Sequence, residues 1–309
     1  MAAPETGIPE PASNMTRNQR RFSAVWLLFA AIAAAAVMAG PHPASGADPA
    51  AGVKTAPASM TASTAADSSL SISASTTPTE GAAVEAASTT PCACGALRPR
   101  DQVWLISTRH LGCPDASPPP ALRFWQWTGS AWADSTLDAF LAADDPSMPT
   151  DFYAHGNFES ADDASERGLA VYVRISAQAP ADQPFRFVIW SWPTDRGKHP
   201  LELTRMHARR ADVDAYYLGW LVNRMNHQVK VGLMGYSLVA RVATGALHLL
   251  GGGQLIGLSL AIDPNAPRQA IRAVLLAAAE DCDWLSPGRP NGEAIPRVEK
   301  MLLLNNGCD

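Results

Sequence analysis

The chain has 309 residues and a formal net charge of −5, from 24 Lys and Arg against 29 Asp and Glu. No basic stripe or Lys/Arg cluster lies in the part able to fold, which argues against a nucleic-acid partner. Twenty-five prolines and 22 glycines, with much of the alanine, serine and threonine crowded into one stretch, exclude a core that runs the whole length; one domain of about 215 residues is expected, large enough for a sizeable core.

Residues 1–47 have the pattern of an export signal. Arg17, Arg20 and Arg21 form a positive segment, Ala24 to Ala39 is apolar and uncharged, and Ser45-Gly46-Ala47 places small residues before a cut at Asp48. The alternative is an uncleaved anchor, although the apolar run falls short of the roughly 20 residues that a bilayer requires. Any membrane contact is expected through this segment alone. Residues 48–91 are Ala, Ser, Thr, Pro and Gly with almost no large apolar side chain, so they cannot offset their ordering entropy and are expected to form a disordered linker. The folded domain is expected over 92–309. Of five cysteines, Cys92 or Cys94 could pair with Cys113, Cys308 is left to find a partner, and the odd count leaves at least one thiol unpaired or paired outside this chain.

Within the domain, Gln102 to Thr108 is expected as a strand, and Leu122 to Trp127 with Trp132 as a hairpin around Thr128-Gly129-Ser130. Thr150 to Ala154 is a third strand leading into His155-Gly156-Asn157. Ser160 with Asp163 forms a capping box, after which Ala161, Ala164, Gly168, Val171, Tyr172 and Ile175 share one helical face. Phe185 to Trp190 is a buried strand closed by Trp192-Pro193. Pro200 opens a long helix carrying Ala208, Ala211, Ala215, Leu218, Val222 and Met225 at three- and four-residue steps. Val229 to Met234 reads as a strand buried on both faces, with a helix from Leu238. Gly251-Gly252-Gly253 stops that helix. Ile271 to Ala278 and Val298 to Leu304 are the last strands. A hairpin followed by alternating helices and buried strands predicts an α/β fold: a mostly parallel sheet covered on both faces.

Gly235-Tyr236-Ser237 sits between strand and helix. A serine in such a turn is lifted above the sheet edge with a helix N-terminus beneath it, as in the G-x-S-x-G nucleophile elbow; here Val239 occupies the last glycine position. The amide of Leu238 would face an oxyanion, and a second donor is expected from Gly156 or Asn157. Val239 is expected to crowd the elbow helix. Trp190 and Trp192 are expected to pack in the core or rim, the alternative being that they line an acyl or aromatic pocket at the ligand-binding edge. No phosphate loop, metal-ligand cluster or dinucleotide fingerprint is present, so no cofactor is expected.

Phe152-Tyr153-Ala154-His155-Gly156-Asn157, Val188-Ile189-Trp190-Ser191-Trp192-Pro193-Thr194-Asp195 and Gly235-Tyr236-Ser237-Leu238-Val239-Ala240-Arg241 together resemble a DUF900-like esterase/lipase branch of the α/β-hydrolase superfamily. The resemblance implies hydrolysis of a small acyl ester by a Ser–acid–His triad in that chain order. Ser237 matches the nucleophile and Asp309 the acid, with Asp281 or Asp283 as alternative acids. It also implies a histidine after the acid. The seven histidines lie at 42, 110, 155, 199, 207, 227 and 248, and none follows the acid. His155 reads as a loop cap, His248 as packed or solvent-facing in the helix behind the elbow, and His199, His207 and His227 as surface residues on or beside the long helix. The expectation is therefore either a chain incomplete at its C-terminus, or a non-catalytic domain that kept the fold without the base.

Overall fold

A computed structural model describes residues 97–114 and 120–305. The expected export segment and linker, Cys92, Cys94, Cys308 and the acid Asp309 lie outside the described residues. Cys113 and Cys282 are exposed free thiols among the described residues, while Cys92 and Cys94, the candidate partners of Cys113, lie outside them.

The elements in chain order are β1 Gln102–Ser107, β2 Arg123–Trp127, β3 Trp132–Ser135, α1 Leu137–Ala142, β4 Thr150–Ala154, α2 Ala161–Ser176, β5 Arg186–Ser191, α3 Pro200–Val222, β6 Val231–Tyr236, α4 Val239–Leu250, β7 Ile271–Leu276, α5 Ala294–Arg297 and β8 Lys300–Leu304. The strands form one eight-stranded sheet in the order β3-β2-β1-β5-β4-β6-β7-β8. Only the β1–β2 and β2–β3 pairs are antiparallel; the rest of the sheet is parallel.

Alternation along the strands divides the core into two layers. Trp104, Phe152, Val188, Trp190, Leu233 and Ala273 face α3 and α4. Their neighbours Val103, Tyr153, Phe187, Ile189, Met234 and Val274 face α2. All residues of β4 and β5 are buried, the polar Thr150, Asp151, Arg186 and Ser191 among them. The capping box of α2 is formed as expected: the Asp163 amide donates to the Ser160 hydroxyl, and the Ser160 amide to the Asp163 carboxylate. Ala161 is exposed, but Ala164, Gly168, Val171, Tyr172 and Ile175 are buried together.

Several boundaries differ from expectation: β7 ends at Leu276, β8 starts at Lys300, and α3 ends at Val222, short of Met225. The Val229 amide donates to the Asn226 carbonyl in a turn, so β6 starts at Val231 and runs on through Tyr236. The short helices α1 and α5 were not anticipated; each is too brief to show a period, although α1 has a Thr136 cap bonded to the Ala139 amide.

Connections leave β4 for β5 on one side and return past β4 to β6, β7 and β8 on the other. The order therefore reverses at the β4–β6 pair, and in open parallel sheets ligands bind at the carboxyl ends of strands flanking such a reversal. The loops after β4 and β6 are those beginning at His155 and Ser237. Among the described residues no helix is long and apolar enough to cross a membrane.

Candidate active site

Ser237 lies between the end of β6 and the start of α4 with φ +55°, a left-handed conformation uncommon outside glycine. Its amide donates to the Leu276 carbonyl (2.9 Å), and its carbonyl accepts from the amides of Ala240 (3.1 Å) and Ala279 (3.1 Å). The strained backbone is thus held by β7 and by the helix it feeds, which is how a non-glycine residue persists there. Ser237 is partly exposed. Among the described residues its hydroxyl has no hydrogen-bond partner, and neither has the Leu238 amide at the head of α4.

The loop after β4 is pinned from several sides. His155 is fully buried; its Nδ1–H donates to the Gly156 carbonyl (2.9 Å), and its Nε2 receives the Trp192 amide (3.1 Å) and Arg109 Nη2 (3.1 Å). Burial, with Arg109 beside it, lowers its pKa to about 3, so the ring is neutral and both nitrogens are occupied. His155 caps the loop, as expected. Arg109 also donates to the Glu159 carbonyl (2.9 Å), the Ser191 hydroxyl (2.8 Å) and the Asp195 carboxylate (3.1 Å). Glu159 is buried, accepts from Arg167 (2.9 Å) through Oε1, and is raised to about 7 by burial; its Oε2 has no hydrogen-bond partner.

The Gly156 carbonyl also accepts from the Thr194 hydroxyl (3.3 Å). In a trans peptide the C=O of one residue and the N–H of the next point in opposite directions. With the Gly156 carbonyl held inward by His155 and Thr194, the Asn157 amide points out of the core, where it has no partner among the described residues. Of the two second donors expected, Asn157 rather than Gly156 has this defined orientation. Proximity to the elbow follows from Gly156, since a Cβ added there would lie 3.8 Å from Tyr236 Cδ1 and 3.5 Å from Glu159 Oε1.

The remaining expected residues divide. Asp281 accepts from the Trp284 indole N–H (2.9 Å) and Asp283 pairs with Arg289; both carboxylates serve their own loop. Glu280, not anticipated, is the carboxylate after β7 that turns inward, bonded by Thr244 and Asn291 and raised by burial. Trp190 and Trp192 are wholly buried, with indole N–H groups on Asp214 (3.4 Å) and the His155 carbonyl (2.9 Å). Val239 does not crowd its surroundings. It is buried against a cavity of about 10 Å³, and neighbouring Ala154 and Ala243 are small enough to admit the branched side chain.

The histidines also divide. His248 is packed as expected, between the Gln254 carbonyl (3.2 Å) and the Glu293 amide (3.1 Å). His227 bonds the Pro267 carbonyl (3.0 Å) and His199 is exposed. His207 is not a surface residue: it is 2 % exposed and its Nδ1 is bonded to Asn157 Oδ1. Its step of four to Ala211 places it on the covered stripe of α3, a signal the surface reading passes over; what covers it is the β4 loop, distant in the chain. Among the described residues there is no cluster of metal-ligating side chains. Comparison of the chain with protein-family models, curated proteins and solved structures finds no match among any of the three.

Proposed function

We propose that the domain is a serine hydrolase of the α/β-hydrolase type, acting on carboxylic esters through an acyl intermediate on Ser237. The observation that carries this reading is the backbone of Ser237, at φ +55° between a buried strand and a helix N-terminus, beside the reversal point of the sheet. The unpaired amides of Leu238 and Asn157 suit an oxyanion hole, since fixed N–H donors stabilise the charge that develops on a carbonyl oxygen. The DUF900-like resemblance adds the reaction class. The basic, apolar and small-residue order of residues 1–47 supports export.

A fluorophosphonate probe tests it. Covalent labelling of the full chain, lost in Ser237→Ala, is the expected result; no labelling of folded protein refutes it. One observation favours a second reading, a fold retained for binding: among the described residues no imidazole is hydrogen-bonded to Ser237, and a serine without a base is a weak nucleophile. That reading predicts a folded, unlabelled protein.

A further inference from the structure

Resting on the hydrolase reading, we propose that His207 on α3 is the general base for Ser237, oriented by Asn157.

Position is the first argument. Helices α3 and α4 run side by side in the same direction. Arg241 makes a two-pronged ion pair with Asp212 (2.6 and 2.7 Å), a Cβ on Gly245 would lie 2.8 Å from the Ala215 Cβ, and one on Gly219 would lie 3.4 Å from the Ala246 carbonyl. Matching numbers rise together along both helices. Ser237 precedes Arg241 by about one helical turn, and the turn of α3 before Asp212 is the one that carries His207 and Ala208. Side chains on a helix lean toward its N-terminus, so His207 leans toward the carboxyl edge of the sheet, where the elbow stands. Arg210 and Asp214 clamp this part of α3 to the β1 end, through the Thr108 carbonyl (3.1 Å), the Leu111 carbonyl (2.9 Å) and the Thr108 hydroxyl.

Tautomer is the second. Asn157 Oδ1 accepts from the Phe158 amide (3.1 Å), which fixes it as the acceptor for His207 as well. The His207 proton therefore sits on Nδ1, and Nε2 is left as a lone pair with no partner among the described residues. A histidine whose Nδ1–H is held by a neighbouring oxygen and whose Nε2 is bare has the arrangement of a base, and an asparagine serves as that holder in some nucleophilic sites. The Phe158 ring packs edge-on against the imidazole (5.9 Å between centroids) and steadies it. The same residue, Asn157, would then orient the base with its side chain and offer its backbone N–H to the oxyanion.

Protons and bonds balance. His207 Nε2 takes the Ser237 hydroxyl proton as Oγ bonds to the ester carbonyl carbon, and the carbonyl electron pair moves to the oxygen facing Leu238 and Asn157. Collapse breaks the ester C–O bond, and His207 gives its proton to the departing alcohol. Water repeats the sequence and releases the acid. Ser237 and His207 are not hydrogen-bonded to each other in this structure; catalytic hydrogen bonds often tighten only around a bound substrate.

Labelling rates with the fluorophosphonate probe decide the matter. His207→Gln should slow labelling by at least about 100-fold, and imidazole should restore part of the rate in His207→Ala. His227→Gln, in the turn between α3 and β6, should label like the wild type. Asp195 is the charged group that bears on His207 from a neighbouring element and favours its protonation, while burial opposes it and prevails. The wild-type rate should therefore rise with pH through a single titration below the ordinary histidine value, and a flat rate overturns the proposal without any variant. A His207→Gln rate within about threefold of wild type, with Ser237→Ala unlabelled, removes His207 as the base and leaves the hydrolase reading intact. Absence of wild-type labelling removes both.

Discussion

The α-carbon of Gly235 lies directly against the backbone of Ala240: a Cβ at position 235 would come within 2.9 Å of the Ala240 nitrogen and 3.0 Å of its Cα. The elbow can close only because this residue has no side chain. Backbone cannot step aside as a flexible side chain can, so Gly235→Ala must open the β6–α4 turn. The expected cost is about 1–3 kcal/mol, read as a lower midpoint in chemical denaturation, together with loss of fluorophosphonate labelling. A variant as stable as the wild type would show that the turn is looser than this geometry requires.

Val239 makes the opposite case. Buried beside a small cavity, it fills space instead of crowding it. Val239→Gly removes the packing and introduces glycine at the start of a helix, so a loss of about 2–4 kcal/mol is expected. An unchanged or higher melting temperature would restore the overpacking view.

Arg109 joins four groups at the carboxyl edge: His155, Glu159, Ser191 and Asp195. A lysine cannot reproduce a planar fork of several donors. Arg109→Lys is expected to lower stability by about 1–3 kcal/mol and to slow labelling of Ser237, because the Asn157 amide loses part of its support. Faster amide hydrogen exchange confined to residues 155–159 would locate the effect; uniform exchange would refute it.

Asp151 on β4 is 2 % exposed, has an Oδ1 without a hydrogen-bond partner, and is raised by burial to about 7. Its folded-state value lies above the unfolded one, so the folded chain binds this proton more tightly. The penalty of its charge is fully present above about pH 7 and is relieved as pH falls toward about 4. Asp151→Asn should therefore be more stable than the wild type at pH 8, by up to roughly 4 kcal/mol, with the gap closing toward pH 4. His155 works in the other direction, since its lowered value favours the folded state only above the ordinary histidine range and that contribution drains as pH falls toward about 3. Both proteins carry His155, so the difference between their denaturation curves isolates Asp151. A gap independent of pH would contradict the assignment.

The local features were readable because each depends on neighbours in the chain. The Ser160–Asp163 capping box, the hairpin at Thr128-Gly129-Ser130 and the turn at Ser237 are built from residues within a few positions of one another. The buried strands were readable because covering both faces of a parallel sheet favours side chains that are mostly apolar, as in Phe187 to Trp190 and Leu233 to Met234. Short helices escaped because a single turn has no period to detect. The reading of Val239 failed because room around a side chain depends on which residues lie opposite, here Ala154 on β4.

Taken alone, the order of residues determined an α/β architecture, a serine at a strand-to-helix bend and a chain with no basic cluster. Only the folded chain decided which imidazole is bare at one nitrogen, which amide of the β4 loop faces outward, and which carboxylates are buried. Those properties belong to groups such as His207 and Asn157, 50 positions apart in the chain, that meet when parallel strands bring their loops to one edge of the sheet. Side-chain periodicity carries no information about that meeting, because it records which face of an element is covered and not what covers it.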